Sequence, residues 1–285
     1  MASDNLRKAA VAGAFYPARR DFLIADIEAC YTDSRGPGKV PQVIEDGPRK
    51  IIGLVCPHAG YQYSGPTAAK AMSLLAADGR PDAIVIIGPN HGRGHYVSAI
   101  QTQGHWETPL GMSPIASDIA QKIYQNALWL EDGAKNFSEE HSLEVELPFI
   151  QHLFGLEMPI VPVMMLDQGL MAAQQLGQAL ANALVSLNVV IIASTDMTHF
   201  EPAEVAAKQD SVLIERMEAL DAEGLIRERD RRNITMCGYG PVAAMITAAK
   251  AMGATQGQRI DYTNSGAVSS RGEVVAYLAL AVLRD

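Results

Sequence analysis

Cysteine is scarce in this chain of 285 residues, which contains three: Cys30, Cys56 and Cys237. Three scattered cysteines exclude a disulfide framework and a Cys-x-x-Cys zinc site, so the sequence predicts a protein of a reducing compartment, the cytoplasm. The chain also lacks an apolar run of spanning length and a convincing secretion signal. We therefore expect neither a membrane protein nor a secreted one.

Basic residues are also in short supply, since 23 Lys and Arg stand against 32 Asp and Glu, for a net charge of -9. This balance makes nucleic acid and anionic membrane surfaces poor partners. Charged residues make up 19% of the chain and hydrophobic residues 48%, which excludes a disordered chain. A doubly wound sheet of this length can remain one unit, so one large domain and two closely packed domains are both open at this point.

Several catalytic signatures are missing. The chain has no G-x-S-x-G elbow, Walker loop or H-E-x-x-H, which weakens serine hydrolase, P-loop and zincin hypotheses. A G-x-G-x-x-A match begins at Gly238, but the residues before it are too charged for the buried strand that a dinucleotide fingerprint follows. His105 and Glu107 match half of an iron facial triad. They fall in a predicted turn, 104–111, beside Pro109, and are kept in reserve.

The fold is indicated by short buried-type runs that alternate with Ala-rich stretches of helical periodicity. This alternation predicts a doubly wound, largely parallel central sheet with helices on both faces. The predicted strands are 51–56, 83–88, 159–165, 189–195 and 274–283, and the predicted helices are 66–77, 115–124, 169–187, 203–220 and 241–252.

Two prolines and two irregular stretches refine this pattern. Pro66 and Pro241 each follow a glycine, and each is predicted to start a helix, where its missing N–H would be unpaired anyway. Residues 33–50 are rich in proline and glycine and predict a surface loop. Residues 96–102 predict an extra strand.

Three histidines lie just past the carboxyl ends of predicted strands: His58, His91 and His199. Loops at these ends converge on one edge of a parallel sheet, where ligands bind. One such histidine is more often a structural residue than a ligand. Three in the same topological position predict a site for a mid-series transition metal.

Four more residues are candidates beside these histidines. Cys237 precedes a predicted helix whose dipole would favour a thiolate, either as metal ligand or as nucleophile. His141 and Glu144 would share a helical face, where they flank a site or cap a helix end. Asp196 lies three residues before His199, where a carboxylate would fix the imidazole tautomer for acid/base work.

Six short blocks occur in a specific order along almost the whole chain. They are Val11-Ala12-Gly13-Ala14-Phe15-Tyr16-Pro17, Pro57-His58-Ala59-Gly60-Tyr61-Gln62-Tyr63-Ser64-Gly65, Gly88-Pro89-Asn90-His91, Glu140-His141-Ser142-Leu143-Glu144, Thr195-Asp196-Met197-Thr198-His199 and Cys237-Gly238. In this order they resemble the Memo family, whose members look like relatives of the class III extradiol ring-cleaving dioxygenases. The resemblance implies a single Memo-like α/β domain over 1–285.

The resemblance implies a metal pocket in which His58 and His91 match the two histidine ligands and Cys237 the third. It also implies that His199 matches the acid/base histidine of the dioxygenases. Those enzymes use a carboxylate as third ligand, so ring cleavage does not carry over directly. A softer thiolate suits iron, copper or zinc. Memo-like proteins are regarded as redox or signalling proteins, and prokaryotic members tend to accompany a radical-SAM protein.

Three functions follow from these observations. The first is a metal-dependent oxidoreductase with iron or copper, where His199 and Asp196 move protons beside His141. The second is a non-catalytic module that binds a small molecule or a peptide in the same cleft. The third is a metal-free hydrolase with Cys237 as nucleophile, His199 as base and Asp196 as orienting group.

Overall fold

Helices and strands alternate along most of the chain in the computed structural model, which describes residues 5–92, 95–270 and 272–285. The helices are α1 (Arg20–Thr32), α2 (Tyr61–Asp78), α3 (Ser117–Asn126), α4 (Leu147–Phe154), α5 (Leu170–Leu184), α6 (Ala203–Glu218), α7 (Ala222–Arg232) and α8 (Tyr239–Ala251). The strands are β1 (Leu6–Arg7), β2 (Ile51–Cys56), β3 (Ala83–Pro89), β4 (Ala99–Ile100), β5 (His105–Thr108), β6 (Gly111–Pro114), β7 (Glu131–Asp132), β8 (Ile160–Met165), β9 (Val189–Ser194), β10 (His199–Glu201), β11 (Gln256–Asn264) and β12 (Val274–Leu283). Within the described ranges, no helix combines the length and apolar character that a bilayer crossing requires.

The central sheet is parallel in its middle and largely antiparallel towards its edges. Its four middle strands run in the order β2-β9-β3-β8, all parallel. On one side β12 pairs with β2 in the antiparallel sense, and β10 and β11 pair with β12 in the same way. On the other side β4 is antiparallel to β8, and β7 is parallel to β4. The sheet is therefore mixed.

The predicted α/β class and its core strands are confirmed. Every residue of β2, β3, β8 and β9 is buried. Because successive residues of a strand point to opposite faces, both faces of the sheet must be covered. Helix α8 packs against β2, β3 and β9, and α5 packs on α8, whereas α2 contacts β2, β11 and β12.

The prediction that Pro66 starts a helix was wrong, whereas the one for Pro241 was close. Helix α2 begins at Tyr61, so Pro66 lies inside it. The first turn of α2 is closed before the proline, since the backbone N–H groups of Tyr63 and Ser64 both donate to Gly60 O. Pro241 lies in the first turn of α8, where its missing N–H leaves no intrahelical bond unmade.

Two further local predictions differ from the structure. The extra strand expected at 96–102 is reduced to the two residues of β4. The expected turn at 104–111 is instead the hairpin of β5 and β6, which forms a separate small sheet with β1. His105 and Glu107 therefore sit on β5, and the reserve metal triad gains no support. Residues 33–50 form the expected irregular segment.

A fully buried ion pair fastens the N-terminal segment to the body of the protein. The Arg7 guanidinium is paired with the Glu144 carboxylate, and both side chains are completely buried. Glu144 also accepts hydrogen bonds from the Tyr16 hydroxyl and from the backbone N–H groups of Ala10 and Val11, at 2.8 and 3.1 Å. The Glu144 carboxylate therefore holds residues 7–16 against the body of the protein.

We expect Arg7→Met to lower the free energy of unfolding by about 3–5 kcal/mol, because it leaves the buried Glu144 charge without its cation. Urea unfolding followed by circular dichroism measures the change. Arg227→Met is the matched control, since Arg227 pairs with Glu223 on the exposed surface of α7 and should change little. Equal losses in the two variants would contradict the anchoring role of Glu144.

Candidate metal centre

The site forms where three neighbouring strands end. Because β9 lies between β2 and β3, the segments that follow these strands leave the sheet at the same edge. The segments after β2 and β3 carry His58 and His91, whose ring centroids are 5.3 Å apart. The segment after β9 carries Asp196 and His199. The structure thus brings the three predicted histidine segments to one rim.

His58 is held with a defined ring nitrogen facing the centre. It is 2% exposed. Its Nδ1 lies 2.7 Å from Ser194 Oγ, and its Nε2 lies 3.3 Å from Cys237 Sγ. Burial, and then the neighbouring histidines, lower the pKa of His58 well below its usual value. A neutral imidazole with Nε2 aimed at a thiol sulfur is suited to metal ligation.

His91 is oriented by a carboxylate. Glu140 accepts a hydrogen bond from the His91 backbone N–H at 2.7 Å, and His91 Nδ1 lies 2.9 Å from Glu140 Oε1. Burial alone would raise the pKa of Glu140, but its interactions with His91 and His141 outweigh burial and lower it to about 2. The ionised carboxylate therefore holds the Nδ1 proton and leaves Nε2 of His91 for a ligand, as in carboxylate–histidine–metal triads.

Cys237 reaches the centre because a glycine follows it. A Cβ at Gly238 would collide with the backbone oxygen of Ser194 and the side chain of Thr195, so only glycine lets this segment pack against the end of β9. The backbone N–H of Asp196 donates to Cys237 Sγ at 3.1 Å. Even so, burial raises the pKa of this thiol above its usual value. The thiolate predicted from the helix dipole alone is not favoured.

The donor set of His58, His91 and Cys237 fits a single transition-metal ion. One ligand atom from each lies within 4.8 Å of the other two. Ligands about 2.0–2.3 Å from one ion are at most roughly 4.6 Å apart, so little movement is needed to close around it. His91, Glu140 and His141 form a second such group. In that group, Glu140 Oε1 contacts His91 Nδ1 and accepts hydrogen bonds from the backbone N–H groups of His141 and Ser142. These contacts compete with a metal ion for that oxygen.

His141 belongs to the site, although it is not on a helix. It lies ahead of α4, and the turns at 142–146 separate it from that helix. Its ring stacks on His91 with centroids 4.5 Å apart and meets the Phe15 ring at 4.7 Å. The predicted helical face shared with Glu144 is therefore absent from this described segment. Glu144 instead faces the N-terminal segment.

The expected pairing of His199 with Asp196 was wrong. His199 Nδ1 lies 3.0 Å from the Thr235 carbonyl oxygen, and its backbone N–H donates to the Thr235 hydroxyl at 2.8 Å. Because a carbonyl only accepts, Nδ1 carries the proton and Nε2 has the lone pair. Thr235 is 36 residues away in sequence, so local spacing gave no signal for it.

Asp196 is hydrogen-bonded to the backbone next to His58 rather than to the His199 ring. Its carboxylate accepts hydrogen bonds from the backbone N–H groups of His58, at 2.9 Å, and Ala59. Burial raises the pKa of Asp196 to about 7 in spite of these bonds. A carboxyl that exchanges its proton near neutral pH thus lies on the wall of the same cleft.

The cleft above the centre has a volume of about 980 Å³ and is lined by aromatic residues that were not predicted as site residues. They include Phe15, Tyr63, Phe200 and Tyr277. Phe200 is 71% exposed and has φ of 59°, which is rare for a bulky residue, and strained backbone of this kind clusters at functional sites. Phe15 and Tyr63 lie in two of the sequence blocks, which was a usable signal. Tyr277 lies in β12, which carries no motif.

Comparisons with known proteins find relatives along almost the whole chain. The Memo-like protein family pattern matches residues 7–281. A MEMO1 family protein of Methanopyrus kandleri is 45% identical over 282 residues, which cover 98% of this chain and 99% of that one. A MEMO1 family protein of Thermotoga maritima is 42% identical over 277 residues, with coverage of 96% and 98%. An uncharacterized Escherichia coli K12 protein has a similar fold, with a TM-score of 0.58 at 14% identity over 82% of this chain and 100% of that chain.

We expect Glu140→Gln to weaken binding of zinc or cobalt by ~10–100-fold, because the variant loses the carboxylate that orients His91. Isothermal titration calorimetry measures the affinity. Glu139→Gln is the matched control, since Glu139 is the exposed neighbour of buried Glu140. Unchanged affinity in Glu140→Gln would mean that His91 does not bind the metal through Nε2.

Proposed function

We propose a metal-dependent oxidoreductase function for this chain, which belongs to the Memo-like protein family. One transition-metal ion is held by His58, His91 and Cys237 at the rim of the sheet. The observation that supports this proposal most directly is the convergence of their ligand atoms within 4.8 Å. The Nδ1 contacts of both histidines, His58 with Ser194 and His91 with Glu140, leave their Nε2 atoms available for the ion.

The choice of metal follows from the chemistry of the donors. Two imidazoles and a thiolate suit iron or copper best and also accept zinc, whereas magnesium and calcium prefer oxygen ligands. A bound iron or copper ion supplies electron transfer to a molecule held beside it. Three protein ligands leave coordination positions free for that molecule.

Residues that line the cleft beside the proposed ion transfer protons. His199 presents Nε2 to the cleft with its Nδ1 proton held by Thr235. Burial lowers the pKa of His199, so the ring is neutral at pH 7 and accepts a proton from a bound substrate. Asp196 is the second group that exchanges protons, and His141 lines the same wall. The substrate is a small molecule or a peptide side chain that fits the cleft.

The two alternatives stand differently. A ligand-binding module would use the same cleft without turnover, so activity with any electron donor separates it from an oxidoreductase. The metal-free hydrolase is not favoured, because the imidazole next to Cys237 Sγ is His58 rather than His199. Thr235, not Asp196, orients His199. A cytoplasmic location and a radical-SAM partner remain predictions.

We expect anaerobically purified protein to contain about one Fe, Cu or Zn per chain, because three convergent ligands form one mononuclear site. His58→Ala and His91→Ala should each empty it. Elemental analysis by mass spectrometry measures the content. His105→Ala removes an exposed histidine of β5 and should keep the metal.

Metal content that survives both substitutions would place the site elsewhere. Content lost equally in His105→Ala would point to a general effect on folding rather than to ligation. Either result would contradict the proposed ligand set.

We expect His199→Gln to keep its metal but to lose oxygen-dependent turnover, because His199 lies beside the ligands and acts on protons. Elemental analysis and oxygen consumption with an electron donor separate the two properties. Any residual activity should no longer change with pH at or below the ordinary histidine pKa of ~6.5, because the titrating imidazole of His199 has been removed. An empty site in His199→Gln would instead make His199 a ligand.

A further inference from the structure

Glu146 is a buried carboxyl group with little to compensate its burial. It is 1% exposed and belongs to the turns that lead into α4. Its Oε2 has no hydrogen-bond partner among the described residues, and no described Lys or Arg is paired with it. An unpaired buried carboxylate is strongly destabilising. A glutamate placed here must therefore have a compensating role or a neutral form.

The hydrogen-bond contact of Glu146 leads to a proposed metal ligand. Its Oε1 lies 3.2 Å from Ser194 Oγ, which in turn lies 2.7 Å from His58 Nδ1 and 2.7 Å from the Ser142 carbonyl oxygen. Ser194 is completely buried at the end of β9. Its hydroxyl is the meeting point of three polar groups.

The hydroxyl of Ser194 has one proton, which decides how these contacts are shared. The Ser142 carbonyl only accepts and is close, so Ser194 donates to it. His58 must present the Nε2 lone pair to a metal, so its Nδ1 donates to Ser194 Oγ. The remaining lone pair of Oγ faces Glu146 and requires a donor there. A protonated Glu146 meets this requirement, and a carboxylate does not.

We propose that Glu146 is a positioning residue: as a neutral acid it donates to Ser194 Oγ and so fixes the hydroxyl that accepts the Nδ1–H of His58. Burial raises the pKa of Glu146 well above its usual value and outweighs the contact with Ser194, which lowers it; this agrees with a neutral acid. The neighbouring Cys56 thiol is also neutral because burial raises its pKa. The two histidine ligands are thus oriented differently, His91 by an anion and His58 by a hydroxyl.

The inference rests on the proposed metal function, but its first test does not need a metal. Long-range nitrogen–proton NMR on the metal-free protein reports which nitrogen of His58 carries the proton. The wild type and Glu146→Gln should show the proton on Nδ1, since an amide N–H replaces the acid O–H. Glu146→Leu removes the donor that holds the Ser194 hydroxyl in this orientation, so the hydroxyl can also turn to donate to His58 Nδ1, and part of the proton should move to Nε2.

Cobalt(II) titration is the second measurement. Glu146→Leu should bind cobalt ~10–100-fold more weakly than the wild type, as second-sphere changes typically do, and Glu146→Gln should restore binding. Asp210→Asn is the matched control. It alters another completely buried carboxyl group, which accepts from Thr198 and Tyr262, and should leave the His58 tautomer unchanged.

Three results would overturn the inference. They are an unchanged His58 tautomer in Glu146→Leu, a Glu146→Gln variant as damaged as Glu146→Leu, and a carboxylate signal for wild-type Glu146 at pH 7 in carbon-13 NMR. The last measurement decides even if Glu146→Leu fails to fold. If the tautomers respond as expected but the wild type binds no metal, the proposed function fails and the positioning role stands.

Discussion

The position of β9 between β2 and β3 is the constraint on which the candidate metal centre depends. Cys56 pairs with Ser194, and Ile87 pairs with Ala193, so the three strands end almost level with one another. Neighbouring strands lie about 4.8 Å apart. The histidines that follow the outer two strands therefore start within about 10 Å of each other, and β9 fills the space between them with supporting groups such as Ser194.

The segment 140–146 supports this arrangement with three buried carboxyl groups, each of which contacts different side chains. Glu140 holds His91, Glu144 holds Arg7 and Tyr16, and Glu146 reaches Ser194. Gly88 makes the packing possible, since a Cβ there would collide with the side chains of Ser142 and Leu143. A run with so many acidic residues is typical of a solvated helix. Here the turns direct each carboxyl group inward.

Local signals explain which predictions succeeded. The core strands were predicted because runs such as Ile51–Cys56 are buried on both faces, and a buried run without alternation is visible in any one sequence. The antiparallel pairing of β12 with β2 joins segments more than 200 residues apart and leaves no local pattern. Helices α1, α4 and α7 were not predicted. Pro66 was misplaced because tertiary packing overrides the helix-start preference of proline.

The same distinction applies to the site. His58, His91 and His199 were indicated by their place after strands, which is a local property. Their partners are not local, since Glu140 is 49 residues from His91 and Ser194 is 136 residues from His58. Asp196 was assigned to His199 because it is near in sequence. In the structure, the Asp196 carboxylate instead accepts a hydrogen bond from the backbone N–H of His58, and His199 is hydrogen-bonded to Thr235.

The charges around the centre bear on which ion it suits. The low pKa of Glu140 keeps one negative charge next to His91. The Cys237 thiol has a raised pKa and is neutral until an ion displaces its proton, after which it contributes a second negative charge. These two negative charges, together with that of Asp196 when it is ionised, would attract a divalent cation more strongly than copper(I). With the softness of a thiolate, these charges support the proposal of a divalent transition metal, and iron(II), copper(II) and zinc(II) are all compatible with them.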